Sequence, residues 1–464
     1  MRHPRIHREA IERLGDDFSG RLVSPESVEF DEVRSIFNGM IDSRPALVAQ
    51  CASPEDVSAA LGFATDNQLE VAVRAGGHSV AGMSTVDDGI VVDVRPLKGV
   101  DIDAERRVAR VGAGATWGEF DARAQAHGLA ATGGRVSTTG VAGFTLGGGS
   151  GWIERRYGLA CDNLVSVDLV LANGQKVTAS ATQHRDLFWA LHGGGGNFGV
   201  ATAFEFAVHP VGPTVLAGLL LWSAEAAPEV TRAYRDLAES APEHFGSGLV
   251  MLHGPPEDFV PPHLRGELLC AIAVCHDGPI ADGEMLLSPL RSMSPEVDLV
   301  GPMPYVDFQC MLDDPPGRRN YWGAEYLSDL SDDAISTFLG SAAQIRSSLA
   351  QSNLIPWGGA VARVTSADTP MTNRDAAWVF HPFAVWESAD DDGGNIEWAR
   401  NAIAGMRQFA TGGIYLNFIG DEGADRVRAA YGDANYARLS EIKAEYDPDN
   451  VFHRNQNIKP ATSL

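Results

Sequence analysis

The chain has 464 residues and a formal net charge of −25, from 36 Lys and Arg against 61 Asp and Glu. That length exceeds one simple core, and that charge argues against nucleic acid or an anionic membrane as partner. The composition, 44% hydrophobic and 21% charged, is that of a globular protein, and no apolar run approaches the roughly 18 residues a spanning helix needs.

The amino-terminal stretch MRHPRIHREAIERLG is basic but has no apolar core behind it. It does not read as a secretory signal, so a cytoplasmic location is expected. CASPEDVSAALGFATDNQ (51–68) predicts a helix, with Ser53 as N-cap, Pro54 at its first position and acids in its first turn. EVAVRAGGH, GIVVDVR and RVARVGAGATWGEF follow as short apolar runs between turns. TWGEFDARAQAHGL predicts a second helix, ending at Gly128. VSVDLVLANGQKVTA reads as strand, Asn-Gly turn, strand. Strands and helices mix here without a regular βαβ beat.

From about residue 208 the texture changes. HPVGPTVLAGLLLWSAEAAPEV opens a region richer in Trp, Pro and helical periodicity, reaching to about 415. The tail predicts an amphipathic helix, with Leu439, Ile442, Lys443 and Tyr446 at helical spacing, stopped by Asp447-Pro448. The five cysteines, Cys51, Cys161, Cys270, Cys275 and Cys310, are scattered without a CxxC pair. They read as buried free thiols, not as disulfides or metal ligands.

Three glycine clusters stand out: RAGGHSVAG (74–82), GVAGFTLGGGSGW (140–152) and HGGGGNFGV (192–200). One cluster alone would be a turn or bulge. Three in the strand-rich part suggest bare amides cradling a phosphate or a flat cofactor. A nicotinamide Rossmann motif fails, because GAGATWGEF has Thr116 and Trp117 where its third glycine should fall. No GK[ST] is present for a P-loop. Ser150 lacks the final glycine of a nucleophile elbow, since Trp152 stands there.

The clusters and their surroundings resemble the berberine-bridge-enzyme-like oxidases of the vanillyl-alcohol-oxidase superfamily. PALVAQCASPEDVSAALGFATDNQLEVAVRAGGHSVAGMSTVDDGIVVDVRPL resembles the first half of their FAD-binding domain. The stretch from GLAATGGRVSTTGVAGFTLGGGSGW through NLVSVDLVLANGQ resembles the second half, and DLFWALHGGGGNFGVATAFEFAVHP its closing motif. YGDANYARLSEIKAEYDPDNVFHRNQNIKP resembles the carboxy-terminal segment that returns over the flavin. The resemblance runs from about 45 to 460.

It implies an α+β fold. A two-subdomain PCMH-type FAD-binding domain (1–207, divided near 98/99) would be followed by an α+β substrate domain (208–415) with an antiparallel sheet over the flavin, then a returning segment (416–464). The implied cofactor is FAD. The residues expected to hold it are Arg74, Ala75, Gly76, Gly77, His78, Ser79, Thr139, Gly140, Gly143, Gly147, Gly148, Gly199, Val200, Tyr415, Asn417, Asn455 and Asn457. His78 matches the histidine bonded to the flavin 8α methyl. Val136 stands where many members carry a second, cysteinyl bond, so a single tether through His78 is expected.

The implied reaction is hydride removal from a C–H beside an alcohol or amine, with oxygen reoxidising the flavin to give hydrogen peroxide. Tyr415 matches the family's tyrosine base, with Asn417 beside it on an expected strand. His381, on the strand WVFHPFAVW, is a second candidate for base or substrate contact. Tyr321 and Trp322 are weaker pocket candidates, and Gly323 replaces a lysine of many relatives. Thr139 is small enough to admit oxygen. The expected partners are a small-molecule substrate, flat or apolar, and O2, with no metal. A monooxygenase-like biosynthetic enzyme, or a flavin-binding protein with little turnover, remains an alternative on the same scaffold.

Overall fold

A computed structural model describes residues 8–462. Residues 1–7, part of the stretch read for a secretory signal, lie outside them.

The first sheet has four strands in the spatial order Arg21–Val23, Leu47–Gln50, Ile90–Asp93, Val71–Arg74. Leu47–Gln50 and Val71–Arg74 both run parallel to Ile90–Asp93. The helix Pro54–Asp66 makes the crossover, so one βαβ unit exists where no regular beat is legible. Ser53 caps that helix through Asp56 N–H. The Asp56 carboxylate in turn accepts from the backbone of Ser19, Gly20 and Ala52 at 2.8, 3.0 and 2.8 Å, tying the first strand to the helix start.

The second sheet is antiparallel, in the order Val100–Asp103, Val108–Gly112, Val200–Ala207, Leu164–Val170, Lys176–Ser180. The last two strands are the hairpin expected around Asn173-Gly174. The helix Trp117–Gln125 starts from a capping box of Thr116 and Glu119. Gly128, just beyond it, adopts φ +64°, a conformation that favours glycine.

A nine-stranded sheet follows. Its main path is Val297–Asp298, Thr214–Ser223, Leu268–His276, Phe245–His253, Gln351–Pro356, Trp378–Trp386, Arg319–Trp322. One face packs on the helices Ala227–Ser240, Ile280–Arg291, Asp332–Ala342 and Asp392–Met406. Leu220, Trp222, Leu249, Ile272, Leu354, Trp378 and Phe380 belong to that core. Their alternate neighbours, Leu219, Leu221, Val250, Ala271, Asn353 and His381, look into a cavity beneath the other face. Both faces are covered, so the strand Thr214–Ser223 is apolar nearly throughout and does not show the polar–apolar alternation that marks a half-buried strand.

The carboxy-terminal helix Ala424–Tyr446 kinks at Gly432, where φ is +70°, and ends before Asp447-Pro448. Lys443 is fully buried. Its Nζ donates to Asn197 O (2.6 Å), Phe452 O (2.9 Å) and Asp447 Oδ2 (2.6 Å). The tail is thus locked onto the third glycine cluster, and Asn197 Oδ1 accepts from Ile458 N–H at 2.9 Å.

Two expectations are corrected. Residues 412–421 form a 3-10 turn at Leu416–Phe418, not a strand. Cys310 is exposed, while the other four free cysteines are buried. The helical periodicity expected after 208 is present in Ala227–Ser240, Ile280–Arg291, Asp332–Ala342 and Asp392–Met406, which alternate with the strands of the large sheet. Among the described residues, no helix is long and apolar enough to cross a membrane.

Candidate active site: a cavity between the glycine loops and the large sheet

A cavity of about 970 Å³ lies between the glycine loops and the nine-stranded sheet. Ala75, Gly76, Gly77, His78 and Ser79 line it, as do Thr139, Gly140, Gly143, Gly147 and Gly199. Asn455 and Gln456 enter from the carboxy-terminal segment. The first two glycine clusters meet backbone to backbone. A Cβ on Gly76 would come within 2.3 Å of Gly140 N, so neither position admits a side chain.

The wall also carries polar atoms without a protein partner. Ser84 Oγ and Asn455 Oδ1 are buried and make no hydrogen bond within the chain. Bare glycine backbone together with orphaned polar atoms fits a flat cofactor with many hydrogen-bonding groups, as FAD is.

His78 lies against this wall. Its ring stacks on Phe37, with centroids 4.3 Å apart. Its Nε2 is 3.1 Å from Thr138 Oγ1, which leaves Nδ1 as the second ring nitrogen. Burial pushes the imidazole down to about 4, against a smaller upward pull from Asp313, so it is neutral near pH 7. Asp313 accepts from Ser137 N–H (2.6 Å) and Ser137 Oγ–H (2.5 Å), bracing the segment that carries Val136 and Thr138. Val136 itself lines the cavity.

His381 projects from the sheet into the same space. Its Nδ1 is 2.7 Å from Gly323 O, and its ring stacks on Phe418 at 4.3 Å. A carbonyl can only accept, so Nδ1 carries the hydrogen and Nε2 keeps the lone pair. Burial lowers this imidazole to about 4. Asn417 faces the cavity beside it, with Nδ2 donating to Phe144 O at 2.9 Å. A Cβ on Gly147 would fall 2.0 Å from Asn417 Oδ1, so the glycine makes room for the amide.

Several expected residues do not reach the cavity. Tyr415 is buried away from it, and its hydroxyl oxygen accepts from Gly149 N–H and Ser150 N–H, both at 2.8 Å, and from Asn417 Nδ2 at 3.2 Å. Burial raises its pKa well above the usual phenol value, against these donors. Arg74 is buried in an ion pair with Asp93 at 2.8 Å. Gly148 packs against Met371 and Tyr415 at φ +116°, and Val200 lies inside the second sheet. Asn457 Oδ1 is buried without a partner, and its neighbour Gln456 lines the cavity instead. Of the weaker candidates, Trp322 lines the cavity, while Tyr321 hydrogen-bonds Arg400.

Other cavity residues carry no motif signal. Arg135 donates to Ser150 Oγ at 2.9 Å and pairs with the buried Glu154 at 3.2 Å. Asn353 sits in register with His381 on the neighbouring strand and donates to its carbonyl at 3.1 Å. Period-two alternation in QSNLIP was the one clue to Asn353.

A two-lobed glycine cradle roofed by a broad antiparallel sheet defines a flavin-clamping oxidoreductase. Residues 45–180 match the FAD binding domain family, and residues 414–459 the berberine and berberine-like family. The chain is 31% identical to (R)-6-hydroxynicotine oxidase of Paenarthrobacter nicotinovorans, over 96% of this chain and 97% of that protein. It is 29% identical to an uncharacterised FAD-linked oxidoreductase of Bacillus subtilis, over 95% and 97%. The crystal structure of 6-hydroxy-D-nicotine oxidase from Arthrobacter nicotinovorans superposes with a TM-score of 0.86 at 28% identity, covering 96% of this chain and 99% of that one. Berberine bridge enzyme from Eschscholzia californica shares the fold, with a TM-score of 0.85 at 22% identity over 98% and 99%. The chain belongs to the berberine-bridge-enzyme-like family of FAD-linked oxidoreductases, and it is an FAD-dependent oxidase.

Proposed function

We propose that the protein oxidises a small organic molecule at a C–H beside an O–H or N–H, with His381 taking the O–H or N–H proton and O2 as the final electron acceptor, giving hydrogen peroxide. Bound FAD supplies the hydride acceptor. The observation that carries the reading is the fixed tautomer of His381. Its Nδ1–H is spent on Gly323 O, so its Nε2 lone pair is free in the cavity. Asn417, anchored on Phe144 O, places an amide beside it that orients the substrate. The sheet excludes water from the reacting end. Thr139 keeps the opposite wall low enough for oxygen to enter.

We infer that His78 alone tethers the cofactor. A neutral imidazole with Nε2 held by Thr138 presents Nδ1 as the nucleophilic atom. Val136 puts a valine in the cavity wall where a second thiol would stand. The work divides along the chain: 1–207 holds FAD, 208–415 supplies the substrate wall, and 416–464 closes over both. Four buried free thiols suit a reducing, cytoplasmic setting.

The test is anaerobic mixing with a panel of secondary alcohols, phenols and cyclic amines, reading flavin absorbance. Bleaching, followed by peroxide release on readmitting oxygen, supports the reading. No bleaching by any compound, or incorporation of labelled oxygen into product, contradicts it.

A further inference from the structure

The cavity roof changes character across the sheet. At the His381 end it presents His381, Asn353 and Gln351 from two neighbouring strands. Over the next three strands it is mainly hydrocarbon: Val250 and Leu252 from Phe245–His253, then Leu219 and Leu221 from Thr214–Ser223, with His253 at the edge of this stretch. Between these leucines and valines lie Gly248, Ala271 and Ala273, whose small size leaves open space instead of packed side chain. From the strand of His381 to that of Leu221 there are four inter-strand steps. At roughly 4.8 Å each, this is a span of about 19 Å.

The far end is bordered by the loop between Gly254 and Gly266. Gly254 N–H donates to Glu267 O at 2.8 Å and Gly266 N–H to Gly254 O at 2.7 Å, which pinches the loop at its base. Pro255, Pro256, Glu257 and Phe259 line the cavity there. Val260 and Leu264 pack with Leu221 and Ala271. The arginines lining the cavity are already engaged: Arg135 with Glu154, Arg318 with Asp314 and Arg454 with Glu70. None is left free for an anionic group of a substrate.

We propose that this aliphatic gallery binds the body of the substrate, which is therefore a neutral molecule with an extended apolar tail, its oxidisable carbon held at His381. A sugar chain would bury most of its hydroxyls against leucine and valine, with only His253 and Glu257 at the edge to bond them, at a cost for each left unpaired. An alkyl or prenyl-like body gains from every methylene it buries. This inference rests on the proposed oxidase reading for the position of the reacting carbon, but its test needs no turnover.

The holoenzyme is titrated with alkyl phenyl ketones from ethyl to octyl, which resemble a product and cannot be oxidised at the carbonyl carbon. The readout is perturbation of the flavin spectrum. The expected result is a Kd that falls by up to about fourfold per added methylene, the equivalent of ~0.8 kcal/mol each. Leu252→Gln and Ala271→Leu, checked for full flavin content, should each weaken the octyl ketone at least about tenfold more than the ethyl ketone. A Kd independent of chain length overturns the proposal. So does equal weakening of short and long ketones by both variants, or tighter binding of xylobiose or of an alkyl carboxylate than of the matching ketone. Failure of the oxidation panel with the ketone series intact would instead overturn the oxidase reading alone.

Discussion

The Nδ1 atom of His381 lies 2.7 Å from the carbonyl oxygen of Gly323. The contact fixes which nitrogen of a buried imidazole can accept a proton. Gly323 packs closely beside it, and a Cβ there would displace the end of the Ile403 side chain, 2.1 Å away. Gly323 follows directly on the strand Arg319–Trp322, and its carbonyl orients the histidine.

His381→Gln keeps a polar group but removes the base. Flavin reduction in anaerobic stopped flow should slow by about 10²-fold or more. An unchanged rate would remove His381 from the mechanism.

The same residue sets a pH dependence. Burial lowers its folded-state pKa from 6.5 to about 4. As pH falls through that window the unfolded chain gains a proton that the folded chain refuses, so this group's contribution to stability falls from pH 6.5 to about 4 and levels off below. Denaturant titrations of wild type and His381→Gln across the window should converge toward acid. Parallel curves would contradict the assignment.

Tyr415→Phe should leave flavin reduction close to wild type, because the hydroxyl points to the backbone of Gly149 and Ser150 rather than into the cavity. It should cost about 1–3 kcal/mol of stability by leaving two buried amides unpaired. A large loss of reduction rate with normal stability would restore the tyrosine as base.

Lys443→Met strands Asp447, a fully buried carboxylate, and removes donors from Asn197 O and Phe452 O. The expected cost is about 3–5 kcal/mol. The tail should loosen from the third glycine cluster, seen as faster proteolysis near residue 450 and lower flavin retention. Normal retention would show that the lock is not needed to hold the cofactor.

Much of the fold was legible because local signals agreed with the whole. Ser53-Pro54, Asn173-Gly174 and Asp447-Pro448 punctuate the chain where the structure turns. The glycine clusters lie on the cavity because backbone must approach backbone, and glycine is the residue that permits it. The large sheet was blurred because cores cover both its faces, so its strands show no clean alternation. Tyr415 was misplaced for a different reason. A motif gives a residue's position along the chain, but whether its hydroxyl faces a cavity or two backbone amides depends on the local turn at Leu416–Phe418. Arg135 and Asp313 were invisible, because their roles come from contacts with Glu154 and Ser137 made only in the folded chain.

Val136→Cys would place a thiol in the cavity wall. In a His78→Ala background it should restore flavin that survives acid precipitation. If Val136 does not face the flavin, all colour will remain in the supernatant.

FAD held in this cavity should be bonded through His78. Proteolysis of the denatured holoenzyme followed by mass spectrometry of the peptide spanning residues 74–84 tests it directly. This peptide should carry the mass of FAD on His78, and no other peptide should do so. An unmodified peptide with free FAD in the acid supernatant, or flavin on a different residue, would contradict it.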